Sequence, residues 1–143
     1  MFSNITKYGF RAVIYIGIHG SLEKKLDAKN VAKELDIPAA FLAKILQSLS
    51  RNEIICSSKG PKGGFYLNDA NKEHKVIDLI NCLEGKNIFS SCVLGLPECG
   101  DENPCPMHHE IVKYRAGLTS YLLKSTIGAL IEDVKDGKVG GKL

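Results

Sequence analysis

A mainly α-helical fold carrying one small β-hairpin is what three features of this 143-residue sequence predict. Apolar residues recur at helical spacing through most of the chain, the pattern of helices with one buried face. Strand-like residues occur in two short runs, joined by a glycine-rich basic turn. The composition, 44% hydrophobic and 24% charged, is that of an ordinary globular chain near the size of one domain.

The first helix is predicted from Ile5 to His19, where Phe10, Val13, Ile14 and Ile16 recur near helical spacing; Asn4 or Thr6 can cap its start and Gly20 stops it. Asp27 is the expected N-cap of a short second helix through Leu35, with Ala28, Val31, Ala32 and Leu35 inside. A third helix runs from Pro38, which suits a first helical position, to Arg51. Its Leu42, Ile45, Leu46 and Leu49 fall at i, i+3, i+4 and i+7 and form one core stripe. Glu53 to Ser58 and Phe65 to Leu67 are the strands, with Lys59 to Gly64 as the turn.

A polar link from Asn68 to Lys75 leads to a helix over Val76 to Leu83 that ends at Gly85. A long helix follows from Met107 to Lys124, with Ile111, Tyr114, Leu118, Tyr121 and Leu122 on one side. Ser125 is the expected cap of a last short helix through Val134. The expected organisation is therefore a helix-turn-helix and hairpin unit over residues 1 to 85 and a cysteine-rich loop over 86 to 106. Residues 107 to 135 make the long and short helices, and 136 to 143 a flexible tail.

Two short helices joined by a tight turn and followed by a β-hairpin make a winged helix-turn-helix, whose second helix enters the major groove of DNA. The residue types suit that role. Small side chains at Ala39, Ala40 and Ala43 let the helix lie close to base edges, while Lys44, Gln47 and Arg51 can bond bases or phosphates. In the hairpin, Ser57 and Ser58 offer hydroxyls and Lys59 and Lys62 offer charge. Gly60, Pro61 and Gly63 shape a turn whose backbone can approach a phosphate. Charge agrees: residues 1 to 70 hold ten Lys/Arg against six Asp/Glu, whereas residues 71 to 143 hold nine against ten. A basic half points to a polyanion partner.

No apolar run approaches the roughly 20 residues that span a bilayer, and the opening residues lack a basic and then apolar leader pattern. A cytoplasmic protein without a membrane partner is expected. In a reducing compartment, clustered thiols bind metal or sense redox state more often than they form structural disulfides. Three of the five cysteines, Cys92, Cys99 and Cys105, stand in a C-x6-C-x5-C loop rich in turn formers. Thiolates there can grip an iron-sulfur cluster or zinc, and without metal they make a redox switch. Three cysteines complete neither centre, and the nearest further ligand is His108, with His109 beside it. Cys56 and Cys82 are expected as small buried apolar side chains, and His19 and His74 as solvated. No nucleophile-base pair, nucleotide loop or HExxH motif is present, so an enzyme is not expected; a small redox protein is the alternative from that class.

Helix-turn-helix, then "SSKGPKGGFYL", then a late three-cysteine loop and a long helix resembles the bacterial regulators typified by the iron-sulfur regulator IscR and the nitric-oxide-sensing repressor NsrR. The wing pattern of that family is met by Ser57 or Ser58, Lys59, Gly60, Gly63, Gly64, Phe65 and Leu67. The opening "MFSNITKYGFRAVIYI" is similar to its first helix, so the likeness covers about residues 1 to 135. It implies a homodimer paired through the long helix, a partly palindromic DNA operator, and a cluster that modulates binding. IscR-like members use C-x5-C-x5-C-x2-H and carry [2Fe-2S]; Cys105-Pro-Met-His108 matches the last part, while the first gap is one residue longer. Other members take an acid near the start of the first helix as the fourth ligand, and this chain has Lys7 and Tyr8 there. The resemblance therefore implies Cys92, Cys99, Cys105 and His108 as ligands, [2Fe-2S] ahead of [4Fe-4S], with zinc as the alternative.

Overall fold

The computed structural model describes residues 1 to 138 and Leu143. Seven α-helices, one two-stranded antiparallel sheet and one 3-10 turn follow one another among those residues. Part of the expected flexible tail, residues 139 to 142, lies outside the described residues.

Helix α1, Asn4–His19, is capped by Ser3 rather than by the expected Asn4 or Thr6. Ser3 has extended backbone dihedrals that leave its Oγ free to accept the Thr6 N–H. Helix α2, Ala28–Leu35, is capped by Asp27, whose Oδ1 accepts the Asn30 N–H at 3.0 Å. Asp36 ends it in the left-handed region at φ 53°. Helix α3, Ala39–Arg51, begins just after Pro38, whose carbonyl accepts the Phe41 and Leu42 N–H groups. The stripe of Leu42, Ile45, Leu46 and Leu49 is buried as its spacing requires. Each such side chain contributes about 1.5–3 kcal/mol relative to exposure.

Strands β1, Cys56–Ser58, and β2, Gly64–Tyr66, pair with Cys56 opposite Tyr66 and Ser58 opposite Gly64. Leu26 joins them from outside the hairpin through two backbone hydrogen bonds with Phe65, at 3.0 and 2.8 Å. The expected polar link contains a helix, α4, Asp69–Glu73, held by a capping box between Asn68 and Asn71. Helix α5, Val76–Glu84, ends at Gly85 with φ 85°, and the 3-10 turn Lys86–Phe89 precedes the cysteine loop.

Helix α6, His108–Lys124, and helix α7, Ile127–Lys135, follow the loop. Thr126, not Ser125, caps α7, its Oγ1 accepting the Ala129 N–H at 3.1 Å. The reason is tertiary: the Ser125 carbonyl accepts the Val76 N–H and the Ile127 N–H reaches the His74 carbonyl, which locks this joint against the α4–α5 joint. Helix α7 returns to the first unit, Ile127 and Ile131 lying in the main core with Val13, Ile16, Leu46 and Leu79. A second, smaller core gathers Val76, Ile77, Ile80 and Leu122, and Phe10 packs against both. Of the residues expected on one side of α6, Leu122 is buried, whereas Tyr114 and Tyr121 are 75% and 56% exposed. They flank the Leu118–Leu122 stripe on one side, and Val112 and Leu123, about half exposed, lie on the opposite side of the helix.

Glu84 closes the first core at one end. Its Oε1 accepts the Ser3 N–H at 2.7 Å, so the end of α5 supplies an anion to the start of α1. Desolvation pushes this carboxyl up, but hydrogen bonding from Ser3 and the nearby N-terminal amine outweigh it and hold it below its usual value. A depressed folded value means stability that is present above the unfolded carboxyl value and lost as pH falls through the folded one. The expected outcome for Glu84→Gln is a Tm about 2 °C lower at pH 7, from roughly 0.5 kcal/mol. That gap closes as pH drops below about 4, and melting curves of both proteins across pH 3 to 7 measure it.

Candidate metal centre and nucleic-acid interface

The loop from Cys92 to Cys105 turns on Gly95, which adopts φ 71°, and on hydrogen-bonded turns such as Gly95 N–H to Cys92 O at 3.0 Å. These turns bring Cys92, Cys99 and Cys105 together with all three sulfurs within 4.8 Å of one another. Cys92 Sγ lies 3.7 Å from Cys105 Sγ, and the Cys105 N–H points at Cys99 Sγ at 3.4 Å. Cys105 is buried and the other two are half-buried. Among the described residues this is the one group of three such side chains placed to share a cation.

His108, the first residue of α6, faces the set through Cys99, its Nδ1 standing 3.3 Å from the sulfur. Its other ring nitrogen meets Asp101 Oδ1 at 3.1 Å. With Nε2–H donating to that carboxylate, Nδ1 is the nitrogen left with a lone pair, the arrangement that orients a ligating imidazole. The spacing alone did not single out Asp101. The Leu96 N–H, helped by the Leu94 N–H and the Cys99 and Cys105 thiols, holds the Cys92 thiol down at about 7 against its desolvation. A thiolate is the form that binds metal, so Cys92 is prepared for it. At Cys99 the Cys105 N–H acts in the same sense, but desolvation and the adjacent thiols outweigh it and raise that pKa.

The donor set therefore fits a thiophilic centre: three converging sulfurs, an oriented imidazole and backbone N–H groups aimed at sulfur. Arg115, one face of α6 further on, donates from Nη1 to the Ser91 carbonyl at 2.6 Å and ties the start of the loop to the helix. A groove of about 490 Å³ runs from the cysteines along α6, lined in part by Phe89, Val93, Met107, Val112 and Leu123.

At the other end of the chain, Ala39, Ala40, Lys44, Gln47 and Arg51 are exposed on α3 and Ala43 is half-buried. Lys59, Gly60, Pro61 and Lys62 are exposed at the hairpin tip, and Gly63 is half-buried beneath it. The two glycines at the start of β2 are required by space. A Cβ on Gly63 would stand 2.3 Å from the Ser58 carbonyl oxygen, and one on Gly64, at φ 146°, 2.7 Å from that of Leu26. Ser57 Oγ meets Ser50 Oγ of α3 at 2.7 Å, while Ser58 Oγ is turned inward. The Leu26 bridge also carries Lys25 to the hairpin, its Nζ lying 5.8 Å from the Tyr66 ring centre. That lysine was not legible as a hairpin neighbour, because the bridge spans 39 residues of sequence.

Two minor expectations are corrected. Cys56 is not an apolar filler: it donates to Asn71 Oδ1 at 3.2 Å and accepts from Asn68 Nδ2 at 3.4 Å. His74 is half-buried and hydrogen-bonded to the Glu53 carbonyl at 3.1 Å rather than solvated, because α4 folds it back against the end of α3. Cys82 is half-buried against the main core, its sulfur 3.8 Å from Ser48 Oγ. No described helix is long and apolar enough to cross a membrane.

The arrangement has counterparts. The chain is 30% identical over 100 residues to Protein rrf2 of Nitratidesulfovibrio vulgaris, covering 70% of this chain and 61% of that one. It is 25% identical over 132 residues to the HTH-type transcriptional regulator NsrR of Oceanobacillus iheyensis, covering 92% and 89%. It also superimposes on the solved structure of T. potens IscR with a TM-score of 0.73 over 99% of this chain and 93% of that one; at 19% identity this shows a shared fold. The family model for Rrf2, described as iron-dependent transcriptional regulator, matches residues 2–133. With nearly the whole chain matched, the protein belongs to the Rrf2 family of transcriptional regulators and is not an enzyme.

Proposed function

We propose that this regulator binds a partly palindromic DNA operator as a homodimer. In this reading an iron-sulfur cluster held by Cys92, Cys99, Cys105 and His108 sets its affinity, with [2Fe-2S] favoured over [4Fe-4S]. The observation that carries the proposal is the convergence of three sulfurs within 4.8 Å beside an imidazole whose second nitrogen is held by a carboxylate. The chemistry such a cluster supplies when bound is one-electron exchange. The chain's own residues link the site to the DNA-binding half. His108 is at once the proposed fourth ligand and the first residue of α6, and Arg115 clamps the loop's other end to the same helix. Ligation or release at His108 would therefore act on the first turn of α6.

Helix α6 is also the proposed dimer element. Its 17 residues, about 25 Å, leave Val112 and Leu123 about half exposed on the side that lines the groove from the cysteines, a face suited to a second copy of the same helix. Pairing there would present two copies of α3 to half-sites about one DNA turn apart. Ala39, Ala40, Ala43, Lys44, Gln47 and Arg51 are the proposed readers in the groove. The wing, from Ser57 to Gly63, is the proposed backbone contact, with Lys59 and Lys62 supplying charge.

Protein purified without air is expected to be brown, with iron and sulfide in equal amounts, and Cys92→Ser, Cys99→Ser and Cys105→Ser each to be colourless. Asp101→Ala should lower iron retention about tenfold or more, read by chelator competition. Colourless wild-type protein containing zinc would overturn the cluster. For the DNA half, Lys59→Ala should weaken binding to every sequence and reduce the salt slope by about 1, whereas Gln47→Ala should change which operator is selected. Affinity measured against salt on selected and scrambled duplexes decides between the two roles.

A further inference from the structure

The wing is anchored from behind by a polar cluster that plays no part in the surface described above. Asn71, on α4, is 4% exposed, and its polar atoms are all engaged. Its Oδ1 accepts the Asn68 N–H at 2.9 Å and the Cys56 thiol at 3.2 Å, and its Nδ2 donates to the Glu53 carbonyl at 2.9 Å. His74 Nε2 meets the same carbonyl at 3.1 Å, and Asn68 Nδ2 reaches Cys56 Sγ at 3.4 Å.

Glu53 and Cys56 bracket the segment in which the chain turns from α3 into β1. Glu53 takes a left-handed conformation at φ 59° to make that turn, which a non-glycine residue adopts only when its surroundings hold it there. One buried amide thus grips both ends of the hinge between α3 and the wing. A buried amide left unpaired loses the hydrogen bonds that offset its desolvation, so rotation of the hinge is resisted. Lys59 lies three residues beyond Cys56, about 10 Å along a strand, so a tilt of about 10° at Cys56 moves the wing tip by about 2 Å. That is enough to separate an ammonium from a phosphate oxygen.

We propose that Asn71 is a positioning residue for operator binding: by holding Glu53 to Cys56 it sets the angle between α3 and the wing, and so lets Lys59 reach the DNA backbone while α3 occupies the groove. This rests on the DNA reading given above, and it adds a residue that touches no DNA.

The test is a set of double-mutant comparisons on the full chain, using a duplex selected from a random-sequence pool by the wild-type protein. Lys59→Ala and Gln47→Ala are each introduced into the wild type, into Asn71→Ser and into Cys56→Ala, with folding checked by circular dichroism. In the wild type, Lys59→Ala is expected to reduce the salt slope by about 1. In the Asn71→Ser background the same change should leave affinity and slope unaltered, because the wing no longer reaches, and in Cys56→Ala its effect should be intermediate. Gln47→Ala should cost the same factor in all three, which a merely destabilised protein would not show. An undiminished Lys59→Ala effect in Asn71→Ser overturns the proposal. If Asn71→Ser does not fold, an undiminished effect in Cys56→Ala overturns it. If Lys59→Ala is silent even in the wild type, the wing contact itself fails and both readings fall together.

Discussion

The approach of Cys92 Sγ to Cys105 Sγ, at 3.7 Å, is the constraint on which the shape of the cysteine loop and the proposed site depends. Closing a loop of this length costs on the order of 2 kcal/mol in chain entropy beyond a constant, and the loop has almost no apolar core of its own to offset it. Val93, Leu94 and Leu96 are about half exposed, and of the three sulfurs only Cys105 is buried. What holds the loop shut lies at its margins. Arg115 fastens Ser91 to α6, and His108 reaches back to Cys99 and Asp101. A shared cation binding the sulfurs would stabilise the closed form further, since thiolates packed this closely repel one another without one.

Helix α6 is itself held by few contacts. Leu122 is its one buried residue, seated in the small core with Val76, Ile77 and Ile80, and Leu118 packs beside it. Phe2 and Phe89 extend that core, their rings 6.5 Å apart in an edge-on arrangement, so the start of α1 touches the turn that leads into the cysteine loop. Phe10 then joins the small core to the large one. A change at the loop has a continuous packed route to α1, and through Ile45 and Leu46 to α3. Packed side chains of this kind have discrete arrangements, which is what a coupling between two sites requires.

The unit proposed to face DNA is built differently. Its stripe on α3 is fully buried, and its hairpin is too short to be stable alone, so β1 and β2 rely on Leu26 at one edge and the Asn71 cluster behind. Rigid presentation of α3 combined with a braced wing suits the proposed role, in which the two would meet separate parts of a duplex at once.

Much of this was legible in the residues, and the reason is locality. The stripe of α3, the Asp27 cap, the stop at Gly85 and the glycine-lined wing each depend on residues within a few positions of one another, where periodicity and backbone freedom decide. The gathering of the three thiols was legible for the same reason, since they stand within fourteen residues. Tertiary structure alone decided the rest. It made Thr126 the cap instead of Ser125, whose carbonyl is taken by Val76, and it turned the polar link into α4 by burying Asn71. It made Cys56 a hydrogen-bonding group, set Tyr114 and Tyr121 outward, paired Asp101 with His108 and brought Arg115 to Ser91. Each of these depends on which distant segments share a core and which backbone groups that packing leaves in need of a partner, and spacing along the chain carries no information on either.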